Sequence, residues 1–114
     1  MTSKSGIEYP SSVDVITQTP TGEWKLIIVE DGAWDGSPER LSKLQQKLNN
    51  YLSFALDGQL VRLYPEAQGH KVAIQIDCYR QPDDDTLSFL ESARERMKAD
   101  GVALYVSIDP AVQA

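Results

Sequence analysis

The sequence predicts an α/β (α+β) domain: a two-layer sandwich of ββαβαβ order, in which a four-stranded mixed sheet carries two helices on one face. Three observations predict it. Two long segments place apolar residues at helical spacing between recognisable starts and stops. Two shorter segments alternate in strand fashion, one directly before and one directly after the second helical segment, as a β-α-β unit requires. The 114 residues are 41% hydrophobic, enough for one core and too few for two. The single domain is expected over 11–109, with a loose polar arm at 1–10 and a tail at 110–114, where Pro110 interrupts any strand.

The first two strands form a hairpin. Residues 13–17 carry β-branched side chains in partial alternation, and residues 24–30 read WKLIIVE. Pro20 presets φ for the turn between them, and Gly22 supplies the positive φ that a longer hairpin loop needs. Trp24, Leu26 and Ile28 share one face of the second strand, and Lys25, Ile27 and Val29 the other. The first helix is expected near 38–57. Ser37 caps it, Pro38 loses no hydrogen bond at the first position and Glu39 faces the positive end of the dipole. Leu41, Leu44, Leu48, Tyr51, Leu52 and Ala55 make its apolar stripe, and Gly58 stops it.

Residues 59–70 are read as a packed connector ended by Pro65 and Gly69. Residues 71–79 alternate Val72, Ile74, Ile76 and Cys78 against Ala73, Gln75, Asp77 and Tyr79. A second helix follows near 84–100, capped by Asp83, with Asp84 and Asp85 in its first turn and Leu87, Leu90, Ala93 and Met97 on its buried stripe. Gly101 stops it, and residues 102–108 alternate as the last strand. The β-α-β unit should cross over right-handed; whether its two strands are neighbours or flank a third is left open by the sequence.

Acids outnumber bases 17 to 11, for a net charge of -6, which argues against nucleic acid or an anionic membrane as a partner. The one cysteine, Cys78, excludes an intrachain disulfide or a multi-cysteine metal site, and its place among Val72, Ile74 and Ile76 reads as inert core filler. The first residues have no apolar run of a signal peptide, so the chain reads as cytoplasmic. No catalytic, cofactor-binding or metal-ligating motif is present, and the lone His70 reads as a solvated loop residue.

Two surface features stand out. The loop acids Glu30, Asp31, Asp35 and Glu39 form a candidate acidic surface for a basic partner; their spacing matches no calcium loop, and no divalent cation is expected to bind. Helix capping is the favoured account of them, as it is of Asp83, Asp84 and Asp85. Trp34 in the same loop reads as a lid stapled to the first helical turn. The other feature is the uncovered sheet face, where alternation places Ile16, Ile27, Val29, Ala73, Tyr79 and Tyr105. Either the arm or residues 59–70 cover it, or two chains pack there with Ile27, Val29 and Tyr105 in the contact.

From Trp34 onward the pattern Leu41, Leu44-Gln45-Gln46-Lys47-Leu48-Asn49, Tyr51-Leu52, Phe54, Gly58, Leu60, Tyr64-Pro65, Ala67 and Gly69 resembles a bacterial domain family of unknown function, over roughly residues 13–106. The resemblance implies a stand-alone bacterial domain and brings no activity or catalytic residue with it. The leading expectation is a non-enzymatic interaction domain that self-associates as a homodimer. The alternatives are an immunity-type acidic protein that neutralises a basic toxin, a carboxylate-based, metal-assisted enzyme around Asp31, Asp35 and Glu39, and a small-molecule sensor with a pocket between the long helix and the sheet.

Overall fold

The computed structural model describes residues 6–7 and 13–108. Strands β1 (Val15–Gln18) and β2 (Trp24–Glu30) lead into helix α1 (Pro38–Leu56), then a short helix α2 (Gln59–Leu63) and a 3-10 turn at Pro65–Ala67. Strand β3 (Val72–Cys78), helix α3 (Asp84–Lys98) and strand β4 (Ala103–Ile108) complete the order. The four strands lie in sequence order in one sheet. β1 runs antiparallel to β2, whereas β2–β3 and β3–β4 are parallel pairs, so the strands flanking α3 are neighbours.

Each boundary has a local cause. In the hairpin, Gly22 takes φ 94° and its amide donates to the Thr19 carbonyl at 2.9 Å. The Thr19 hydroxyl accepts from the Glu23 amide at 3.1 Å and closes the loop. Ser37 accepts the Arg40 amide at 3.3 Å, with Pro38 in the first turn. Asp83 accepts the amide of Thr86 at 3.1 Å and its hydroxyl at 2.5 Å. Both helices begin where the capping residues of the sequence place them.

The core lies between the sheet and the helices. Trp24, Leu26, Ile28, Ile74, Ile76, Cys78 and Leu104 meet Leu44, Leu48 and Tyr51 of α1 and Leu90, Ala93 and Met97 of α3. The connector adds Leu60 and Ala67 to this same layer, and the Trp24 and Tyr64 rings stand 5.4 Å apart. It therefore packs on the helix side and leaves the outer sheet face alone.

Two expectations need correction. Ile16 is not on the outer face: it pairs with Leu26, and directly opposed residues of an antiparallel pair point the same way, so it packs on the core. The arm, expected to be loose over 1–10, is fixed at the two residues described there: Gly6 and Ile7 are both buried. Residues 59–70 are the packed connector expected, built from an α-helical turn and a 3-10 turn. The tail at 110–114 lies outside the described residues.

Candidate functional site

The outer face of the sheet is laid out by register. Thr17, Lys25, Ala73 and Ala103 form one row across the strands, and Val15, Ile27, Gln75 and Tyr105 the next. Val29, Asp77 and Ser107 form the third. Ile27, Val29 and Tyr105 thus share this face, as alternation predicts. The Lys25 ammonium donates to the Gln75 side-chain carbonyl at 3.1 Å and lies 5.1 Å from the centre of the Tyr105 ring. Gln75 passes its own amide hydrogen to Asp77 at 2.7 Å. The face is therefore a polar track flanked by apolar side chains. Val15 and Tyr105 are 41% and 42% exposed, and Ile27 and Val29 half-buried. Ala73 is covered by its taller neighbours, and Tyr79 is exposed just beyond the end of β3.

The acidic loop divides. Asp31, Asp35 and Glu39 are exposed, but Glu30 is buried. The reason is parity: Glu30 follows Trp24, Leu26 and Ile28 on the core face of β2. Asp35 accepts the Ser37 amide at 2.9 Å, and that bond holds its carboxyl below the usual range. Trp34 is buried as the expected lid, with the Arg40 guanidinium 5.5 Å from its ring centre. The starts of α1 and α3 come together here, since a side chain at Gly36 would run into the Asp83 carboxylate.

A third cluster was not foreseen. Asp14, Glu30 and Lys47 converge on Gly6 and Ile7. The Lys47 ammonium is 2.8 Å from Asp14, and both side chains are essentially excluded from solvent. Lys47 also donates to the Gly6 carbonyl at 2.6 Å. Asp14 accepts the amides of Gly6 at 2.9 Å and Val29 at 3.0 Å. Glu30 accepts the amides of Ile7 and Gly32, each at 2.8 Å, and pairs with Arg40 at 3.3 Å. The Tyr51 hydroxyl accepts from the Asp14 amide at 2.7 Å and donates to the Ile27 carbonyl at 3.2 Å. A buried ion pair holds only when its remaining lone pairs and protons are matched in this way. The signal was present in the sequence: Lys47 stands three residues after Leu44 and four before Tyr51, inside the apolar stripe.

The remaining candidates offer little chemistry. Cys78 is buried, and desolvation, with the Asp77 and Glu30 charges, pushes its thiol to about 12, so it is no nucleophile at neutral pH. His70 is exposed beside the hairpin turn. A cleft of about 130 Å³ lies between α1 and α3, lined by Leu48, Leu52, Phe89 and Met97, below the roughly 300 Å³ at which ligand pockets begin. Wider surface clefts of about 350 Å³ and 510 Å³ open where Ala55 and Leu56 at the end of α1 face Val72, and beside the hairpin turn at Gly22 and His70. Among the described residues no group of three or more His, Cys, Asp or Glu is placed to hold a metal ion, and no helix is long and apolar enough to cross a membrane.

Residues 5–110 match a family described only as a family of unknown function, DUF6572. No curated protein and no solved structure matches the chain.

Proposed function

The chain belongs to this family of unknown function, and with no activity to inherit from it we propose that it is a non-enzymatic, cytoplasmic interaction domain of bacterial type that self-associates through the outer face of its sheet. The observation that carries this reading is the three-row face, where Val15, Ile27, Val29 and Tyr105 flank the Lys25–Gln75–Asp77 track.

Two physical arguments support it. The face is self-complementary in charge. A two-fold axis along the rows lays the Lys25 row of one copy over the Asp77 row of the other, and the middle row over itself. The size also suffices. Four strands about 4.8 Å apart and about 20 Å long present on the order of 600 Å² of accessible area with side-chain relief, so two copies bury on the order of 1,200 Å². The net charge of -6 on each copy opposes association, and salt screens it beyond about 10 Å.

Light scattering tests the reading. The wild type is expected at twice the 12.7 kDa monomer mass, and Val29→Asp, which puts a charge beside Asp77, is expected to be a folded monomer. A wild type that stays monomeric at high concentration refutes it, and a folded Val29→Asp dimer moves the interface off this face.

One observation favours a second reading, an acidic surface for a basic protein such as a toxin. The starts of α1 and α3 adjoin, so exposed Asp31, Asp35 and Glu39 share one end of the molecule with exposed Asp84 and Asp85. Binding to the basic product of a neighbouring gene, lost in Asp31→Lys/Asp84→Lys, is the corresponding test.

A further inference from the structure

Backbone groups buried in a small domain are ordinarily matched by other backbone groups, in helices and ladders. Gly6 and Ile7 draw on charged side chains. They belong to no strand or helix. The Gly6 amide, the Gly6 carbonyl and the Ile7 amide go respectively to Asp14, Lys47 and Glu30, three charged side chains from the segment before β1, from α1 and from β2. Hydrogen bonds between ionised side chains and a peptide backbone are the strong kind, and they set position closely. This is how a protein holds a peptide ligand, and the body of the domain uses it nowhere else on so short a segment among the described residues.

The site also selects side chains. Gly6 has φ 85°, and a Cβ there would stand 2.7 Å from the Glu30 carboxylate and 3.2 Å from the Val29 carbonyl, so only glycine fits. Ile7 is fully buried and joins the main core. The body retains partners for each charge when the segment is absent: Lys47 still meets Asp14, and Glu30 still meets Gly32 and Arg40. The charges of the cradle thus have partners within the body as well as in the segment.

We infer that Asp14, Glu30 and Lys47 form a binding site for a Gly–Ile peptide element, filled here by the chain's own residues 6–7 and open to the same segment of a second copy. The arm is exchangeable. This inference does not depend on the outer face, because peptide titration reads the cradle and light scattering reads the sheet; either can fail without the other.

The test uses full-length protein and a fluorescent synthetic peptide of residues 2–10. In the wild type the tethered arm competes at an effective concentration on the order of 1 mM, so the added peptide binds only in that range. Gly6→Ala expels the tethered arm, and the peptide is then expected to bind at least about tenfold more tightly, since its competitor is gone. A peptide with alanine in place of Gly6 is expected not to bind either protein. Ile7→Ser serves as a second arm-releasing variant, and circular dichroism reports whether each is folded. Equal peptide affinity for the wild type and the folded variants overturns the inference. So does equal binding of the alanine peptide. So does loss of fold in both variants, because the arm is then an integral part of the core and not a ligand.

Discussion

Replacing Lys47 by methionine keeps the length and apolar stem of the side chain and removes only its charge. The ammonium touches Asp14 at 2.8 Å and the Gly6 carbonyl at 2.6 Å. Asp14 would keep two amide donors but face the interior as an uncompensated charge. Breaking one side of a buried pair costs about 3–5 kcal/mol, against a total stability of about 5–15 kcal/mol for a domain. The control is in the same chain: Lys98 pairs with Glu95 at 3.3 Å, with 65% and 63% of the two side chains exposed. Lys98→Met should cost under about 0.5 kcal/mol, as exposed helical pairs do. Urea unfolding followed by the fluorescence of the two buried tryptophans measures both, with the slope against urea as the check that the states compared are the same. If Lys47→Met costs no more than Lys98→Met, the buried pair is not holding this corner of the fold. Asp14→Asn combined with Lys47→Met then isolates the coupling between them.

The titrating groups and the α3 cap give further expected outcomes. Cys78 should resist alkylation in the native state at pH 8 and react on unfolding, because burial holds the thiol neutral up to about 12. By linkage its contribution to stability is complete below the ordinary value of 9.0 and is lost as pH rises from there toward 12. Burial of Tyr51 acts in the same direction above 10.0, so an unfolding curve that strengthens above pH 9 would contradict both. Asp83→Ala should cost about 1 kcal/mol through loss of the α3 cap. The Thr86 hydroxyl holds the Asp83 carboxyl low and the Ser37 amide holds Asp35 low, so their contributions are present above 3.8 and vanish as pH falls below it. Acid unfolding of the Asp83→Ala protein should accordingly be shallower than that of the wild type.

The elements were legible because each has a local cause. Ser37-Pro38 and Asp83 start helices for reasons confined to one turn, and Gly58 ends one with φ 87°. Alternation also assigned β2, β3 and β4 to the right faces, and with them Ile27, Val29 and Tyr105. It failed at Ile16, where the face depends on pairing with β2. The cluster of Glu30, Lys47 and Asp14 was missed for a different reason. Their positions in the period are core positions, but a charge there is stable only when partners from other elements arrive with it. Composition treats such residues as surface. What the pattern lacks is knowledge of the partners, which come from 23 and 41 residues away along the chain.

Those separations carry a consequence for synthesis. Gly6 and Ile7 leave the ribosome before any of their final partners. A nascent chain that ends within the hairpin turn has Asp14 but neither Glu30 nor Lys47. One that ends after β2 has the two acids and no cation to hold them against each other's field. The arm is captured only when the third turn of α1 has emerged and docked on the sheet. The earliest residues of this segment to be made are therefore among the last to be immobilised. Their protection from a protease marks the moment at which the first half of the domain has closed.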